Sequence, residues 1–253
     1  MVVLDVDIGN TRLKWRLSQQ GDAGSEHGFI ATAALDRAVL LEAWKGLPQP
    51  QRVRFVSVAS VDSEQTLMKF CHEQWRLTAQ KAKTQAAQAG VVNSYSNFQT
   101  MGADRWLVML AGFHRASKGQ HRRGCCVVDC GSAVTVDYVD ADGQHLGGFI
   151  APGLRLMRKG LLNNTRQILL PEESQQRFDT RPGRSTEEAV GHGIELMLAA
   201  LAQRVVKDCA DWLGADALLL VTGGDGGRFI DAAGCGEWCA DLVLDGLEWT
   251  FSE

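Results

Sequence analysis

Short apolar stretches bounded by turn residues recur along most of the chain, and such stretches read as strands. Val2-Val3-Leu4-Asp5-Val6-Asp7-Ile8 and the alternating Leu13-Lys14-Trp15-Arg16-Leu17 predict a β-hairpin over residues 1–18. It should turn at Gly9-Asn10, because Gly and Asn tolerate the positive φ of a tight hairpin turn. A strand near Phe29-Ile30-Ala31 follows, then a helix from about Leu35 to Lys45, a strand over 53–58 and a helix over 62–75. Trp106, Leu107, Leu110 and Phe113 sit at helical spacing and predict a helix from about 103 to 118. The second half opens with strands at 124–130, 133–139 and 145–151. Helices at 153–162 and 185–212 come next, then a strand at 217–222 and a short helix after Gly227. Strands followed by helices in both halves argue for an α/β fold.

One pattern occurs twice. Val2-Val3-Leu4-Asp5-Val6-Asp7-Ile8-Gly9-Asn10-Thr11 returns in outline as Cys125-Cys126-Val127-Val128-Asp129-Cys130-Gly131-Ser132-Ala133-Val134. Each copy is an apolar β-type run, then Asp-x-Gly, then a small polar residue and a second β-type run. The copies lie about half a chain apart, which predicts two domains of one type. We expect an N-terminal domain over 1–118 and a C-terminal domain over 124–253, joined by the polar stretch Lys118–Gly124 with its His121-Arg122-Arg123.

Composition narrows the class. A chain of 253 residues has room for two such domains, and 45% hydrophobic with 22% charged residues are globular proportions. The net charge of −4 argues against a nucleic-acid partner, which needs a basic face to displace counterions. The first residues lack the pattern of a signal peptide, and no uninterrupted apolar run nears membrane-spanning length, so we expect no membrane partner. Seven cysteines cannot all pair within one chain, and Cys235 and Cys239 have no neighbouring His to make a zinc site. Buried thiols in a reducing, cytoplasmic compartment are the expectation.

Four places could carry chemistry. In Asp7-Ile8-Gly9-Asn10-Thr11-Arg12-Leu13-Lys14, Gly9 would let the backbone approach a phosphate while Asn10 and Thr11 add donors and Lys14 reaches in as a point charge. An aspartate ahead of such a turn repels phosphate unless it holds Mg²⁺ through water. A plain Gly-Asn hairpin explains the same residues taken alone. Asp129-Cys130-Gly131-Ser132 repeats the turn, and two such turns could grip a nucleotide's phosphates from both sides. Gly102-Ala103-Asp104-Arg105-Trp106 places a proton acceptor and an anion clamp at a helix N-terminus, where a helix cap with a solvated Arg is the plainer reading. Thr222-Gly223-Gly224-Asp225 ends a strand with two glycines, against which a ring or a phosphate could lie.

Taken in order, these motifs resemble the type III pantothenate kinases, a family that includes proteins labelled Bvg accessory factors. A fifth motif belongs with them, Gly147-Gly148-Phe149-Ile150-Ala151-Pro152-Gly153, and the match runs from Asp7 to Asp225. The resemblance implies two duplicated ribonuclease-H-like domains of the actin-like ATPase superfamily, with mixed sheets flanked by helices. It implies a homodimer that transfers the γ-phosphate of ATP to pantothenate, yielding 4′-phosphopantothenate at the start of coenzyme A biosynthesis. Mg²⁺ and a monovalent cation, potassium or ammonium, come with it. Carried over by position, residues Asp7 to Lys14 would cradle ATP phosphates together with Ser132, where the family usually has Thr. Asp104 would be the catalytic base. Tyr95, Gly102, Ala103, Asp104 and Arg105 would hold pantothenate with Thr186, and Asp129 would sit at the monovalent cation.

Three rival readings differ in class. Another actin-like small-molecule kinase would keep both Asp-x-Gly turns but would not need Gly-x-Asp-Arg-Trp at its place. A non-enzymatic regulatory protein would not need Asp7, Asp104 and Asp129 together. A metal-dependent hydrolase would want its acidic residues at cluster spacing.

Overall fold

The computed structural model describes residues 1–19, 24–119, 121–164 and 179–251. In the first half, β1 (Val2–Ile8), β2 (Arg12–Gln19) and β3 (Ser25–Ala31) form an antiparallel meander. The chain continues through α1 (Arg37–Ala43) to β4 (Arg52–Ser57), α2 (Val61–Trp75) and β5 (Gln80–Lys81). The last two strands add in parallel on the far side of β1, so the sheet order is β3-β2-β1-β4-β5. A small hairpin of β6 (Ala87–Gln88) and β7 (Val91–Val92) then leads into α3 (Ala103–Ala116).

The second half repeats the plan. β8 (Cys125–Cys130), β9 (Ala133–Val139) and β10 (His145–Pro152) are antiparallel, followed by α4 (Leu154–Asn164) and α5 (Thr186–Leu213). After these come β11 (Leu218–Thr222), α6 (Gly226–Ala233), β12 (Glu237–Trp238) and α7 (Leu242–Thr250). The order β10-β9-β8-β11-β12 has the same directions as the first sheet. The repeat seen around two Asp-x-Gly motifs is thus a repeat of whole sheets.

Alternation sorts the strand residues between faces. Leu4, Val6 and Ile8 join Leu13, Trp15 and Leu17, with Val53 and Phe55, in a core built on Leu40 and Trp44 of and after α1 and on Leu67 and Phe70 of α2. Each such fully buried side chain contributes about 1.5–3 kcal/mol. The opposite face of β1 carries Asp5 and Asp7, directly across from Arg16 and Lys14 of β2. In the second sheet, Cys126, Val128, Val136, Tyr138 and Val221 pack on Leu154, Ile194, Leu198 and Phe229. Six cysteines are buried as free thiols and Cys235 is exposed.

Two compact units result, Met1–Ala111 with Asp241–Glu253, and Gly112–Ala240. The division differs from the 1–118 and 124–253 boundaries expected from the polar stretch at 118–124, whose Gln120 lies outside the described residues. Gly112 already abuts Val127, Cys125 and Leu220, so the end of α3 counts with the second unit. α7 returns to the first unit, since Leu242, Leu244 and Leu247 are buried and Gly246 lies against the backbone of Leu107.

Two further expectations need correction. Neither Gly9 nor Asn10 takes a positive φ. The loop spans three residues between β1 and β2 and closes instead with the Gly9 N–H donating to the Arg12 carbonyl at 3.0 Å. And α5 is, by length and composition alone, able to cross a bilayer. Glu195 interrupts its apolar stretch, whose other charges lie toward the ends, at Glu187, Glu188, Arg204, Lys207, Asp208 and Asp211, so no unbroken apolar run marks it in the sequence. Its buried positions, among them Gly191, Ile194, Leu198, Ala202 and Val205, serve the core of the second unit.

Candidate active site

The first turn is held by three hydrogen bonds from two flanking residues. Thr32, just after β3, donates its hydroxyl to the Gly9 carbonyl at 2.7 Å and its N–H to the Thr11 carbonyl at 3.1 Å. From β4's end, the Val58 N–H donates to the Ile8 carbonyl at 3.1 Å. With its backbone so held, the turn presents the side chains of Asn10, Thr11 and Arg12, all exposed. The Arg12 guanidinium sits 5.0 Å from the centre of the Phe29 ring, a cation–π contact that gives it a resting place. Asp7 and Lys14 face each other across the β1–β2 ladder, both half-buried. The turn thus gathers the cationic side chains of Arg12 and Lys14 with the side-chain donors of Asn10 and Thr11.

The second turn, Gly131-Ser132 between β8 and β9, is gripped by two other motifs. Gly153 donates its N–H to the Ser132 carbonyl at 3.0 Å, and a Cβ there would overlap the carbonyls of Gly131 and Ser132. Gly223 has φ +86°, and its Cβ would overlap the Asp129 carboxylate and the Cys130 backbone. The Asp225 N–H donates to the Cys130 carbonyl at 3.0 Å. Burial pushes the Cys130 thiol up to about 12, and the Asp129 and Asp225 carboxylates add to the shift, so both project negative charge onto this turn. The structure therefore brings three motifs together in one unit: Asp129–Ser132, the end of Gly147–Gly153 and Thr222–Asp225. Ser132 is exposed.

Gly102, Ala103, Asp104 and Arg105 form the start of α3. The half-buried Asp104 carboxylate accepts from the Arg105 N–H at 2.8 Å, and a Cβ on Gly102 would strike that carboxylate. Glycine there keeps room for the acid. Buried Arg105 donates to the Tyr95 hydroxyl at 3.0 Å, with its guanidinium 5.7 Å from the ring centre. Tyr95 and Arg105, ten residues apart in the chain, are thus joined as one group beside Asp104. Thr186 is the first residue of α5, exposed and in the second unit. Its helix is capped by Ser185, which accepts from the Glu188 N–H at 3.1 Å, while the Glu188 carboxylate accepts from the N–H of the preceding Arg184 at 2.7 Å.

Some supporting residues escaped the sequence reading. Thr32 and Phe29 gave no signal, since a threonine after a strand is unremarkable in sequence. Gly153 and Gly223 were noted as parts of motifs, but their close approach to the second turn is visible only in three dimensions.

Comparison with known proteins completes the description. A family model described as type III pantothenate kinase matches residues 3–208. The protein of that name from Marinobacter nauticus is 40% identical over 249 residues, covering 98% of this chain and 97% of the relative. That of Pseudomonas fluorescens (strain SBW25) is 37% identical over 250 residues, covering 97% of each. Among solved structures, a ROK family glucokinase from Streptomyces griseus, in complex with glucose and AMPPNP, is similar with a TM-score of 0.53 at 11% identity over 98% of both chains. The ethanolamine utilization protein EutJ from Carboxydothermus hydrogenoformans reaches 0.51 at 11% identity, over 99% of this chain and 90% of that one. At such identities the likeness is one of fold alone.

Proposed function

The chain belongs to the type III pantothenate kinase family, and from that premise we propose how its residues carry the ATP-dependent phosphorylation of pantothenate to 4′-phosphopantothenate, the first step of coenzyme A biosynthesis. The observation that carries the reading is a family match over residues 3–208, with relatives aligned over 97–98% of the chain, in a protein whose two sheets each carry an Asp-x-Gly turn.

The primary hydroxyl of pantothenate attacks the γ-phosphorus in line, and ADP leaves. A carboxylate is intrinsically a weak base for an alcohol. That suffices here, because the transition state of phosphoryl transfer is loose and the proton departs late. Asp104 orients the hydroxyl and accepts its proton as the new bond forms. Arg105, steadied by Tyr95, anchors the pantothenate carboxylate, and Gly102 and Ala103 shape the wall beside it. On the ATP side, Asn10, Thr11, Arg12 and Lys14 bind phosphate oxygens, Asp7, Ile8, Gly9 and Leu13 complete the turn, and the Ser132 hydroxyl donates from the second turn.

The residues present fit hard cations, which take oxygen ligands. Asp7 would hold magnesium, and Asp129, on a turn already under the negative field of Asp225, would hold potassium or ammonium. When bound, such cations supply neutralising charge on the phosphates. A homodimer accompanies the reading. α5 exposes Leu196, Met197 and Trp212, and the edge strand β10 exposes Phe149 and Ile150, apolar area of the kind that marks interfaces. Thr186 at the start of α5 would complete the pantothenate site of the other subunit. The seven free thiols suit a reducing cytoplasm.

The test is direct. Purified protein is given ATP, magnesium, potassium and pantothenate, and 4′-phosphopantothenate is followed by mass spectrometry alongside ADP. Product in step with ADP supports the reading; ADP without product, or neither, rejects it.

A further inference from the structure

The last helix of the chain has no part in the chemistry above, yet several of its polar contacts fall near residues that do. Asp245 of α7 and Asp241, the residue just before the helix, reach Arg16 at 2.5 and 3.9 Å. Arg16 in turn lies 3.5 Å from Asp5, a carboxylate with no solvent exposure that Arg54 also grips with two hydrogen bonds of 2.6 and 2.8 Å. Asp5 and Arg16 are cross-strand partners, and two residues further along the same faces of β1 and β2 stand the partners Asp7 and Lys14. One end of α7 is therefore tied into the strands that carry the phosphate turn.

The middle and far end of α7 hold α3. Gly246 lies so close to Leu107 that a Cβ would overlap the Leu107 carbonyl. Gln88 accepts from the Trp106 indole N–H at 3.2 Å and donates to the Thr250 carbonyl at 2.9 Å, bridging α3 to the end of α7. Trp106 and Leu107 lie in the same helical turn as Asp104. Arg52, on β4, closes the arrangement with a 3.2 Å hydrogen bond to the Phe251 carbonyl.

Resting on the kinase reading above, we infer that α7 is a positioning clasp: it sets the register between the phosphate turn at Asp7–Lys14 and the base at Asp104, within the first unit. None of its residues touches substrate in this account. Their work is to hold two rigid elements in the relation that in-line transfer requires, where an error of about 1 Å can cost on the order of 10²-fold in rate. A burial role alone would need the leucines of α7 but not a charge on Asp245.

The decisive variants are Asp245→Asn, which keeps the shape and removes the charge that holds Arg16, and Gly246→Ala, which pushes α7 off α3. We expect kcat per folded molecule to fall about tenfold or more, with KM for ATP and for pantothenate changed less than about threefold. Asp245→Glu should restore at least half of the loss. Combining Asp245→Asn with Arg16→Gln should cost little more than either alone. If Gly246→Ala does not fold, Asp245→Asn decides. A kcat within about threefold of wild type, or a loss confined to KM, overturns the clasp even where the melting temperature drops. Hydrogen exchange reads it without turnover: Asp245→Asn should loosen both segments 3–17 and 102–110, and unchanged protection in either overturns it. A wild-type protein that fails to phosphorylate pantothenate would reject the kinase reading instead, and the exchange data would still judge the clasp.

Discussion

Gly223 and Gly224 are adjacent in sequence and opposite in what they should tolerate. Gly223 holds φ +86°, a region that costs an L-residue about 1–2 kcal/mol. An alanine Cβ there would also overlap the Asp129 carboxylate and the Cys130 carbonyl group, and overpacking against backbone costs about 1–3 kcal/mol. Together Gly223→Ala should cost about 2–5 kcal/mol, which in a chain of this size lowers the melting temperature by about 5–15 °C. Gly224 is exposed, has no positive φ and has open space around its Cβ position. Gly224→Ala should therefore melt within about 2 °C of wild type. Because the overlap falls on Asp129, Gly223→Ala should also need more potassium for half-maximal activity. Thermal unfolding by circular dichroism, then a potassium titration of the residual activity, measures both. A Gly223→Ala protein that melts within about 2 °C of wild type, or two variants that drop together, would refute the packing argument.

Asp104→Asn should cost about 10²- to 10⁴-fold in turnover without lowering the melting temperature, and a variant keeping over half of wild-type turnover would sink the base assignment. Activity should depend on potassium or ammonium, and Asp129→Ala should lose that dependence along with most activity; equal rates in sodium-only and potassium buffer would count against Asp129. For the dimer, co-refolding Asp104→Asn with Thr186→Ala tests Thr186 in trans: random pairing makes half the dimers mixed, each with one native site, so about a quarter of wild-type activity should return. Activity no higher than the sum of the separate variants, with exchange confirmed, rejects the shared site.

What could be read from the sequence were the features that repeat or alternate. The hairpin of β1 and β2 declares itself through Leu13-Lys14-Trp15-Arg16-Leu17, and the duplication through Asp7 and Asp129, because period and repetition survive without any knowledge of contacts. α7 was not foreseen. Its Asp-Leu-Val-Leu-Asp-Gly-Leu-Glu-Trp-Thr places Gly246 in the middle of a helix, where glycine is disfavoured, and only the approach of Leu107 explains it. The two-residue strands β5 and β12 are too short to carry a period. One signal was available and unused: Asp5 stands inside an otherwise apolar central strand, and a buried carboxylate demands a cationic partner. Arg16 and Arg54 answer that demand, and through Arg16 the network reaches the C-terminal helix. The first turn falls where the motif put it, but its backbone closes through Gly9 and Arg12 and not through left-handed φ.

Duplication also explains why the two turns need not do the same work. Sheet order, strand direction and the aspartate ahead of the turn are common to both copies. The residue across the ladder from that aspartate differs: Lys14 faces Asp7, whereas Thr135, a neutral hydroxyl, faces Asp129. At cross-strand distance a lysine offsets its carboxylate with a positive charge, whereas a threonine offers only a neutral hydroxyl. The second turn instead collects negative charge, with Asp129 and Asp225 both raising the Cys130 thiol beyond what burial does. On the function proposed above, the first copy would meet phosphate directly and the second would hold the monovalent cation. A single substitution separates these roles. Thr135→Lys would place a fixed cation beside Asp129, and if the division of labour holds, the variant should turn over as fast in sodium as in potassium. A Thr135→Lys enzyme that keeps its full potassium requirement would show that the cross-strand residue does not set the character of the turn.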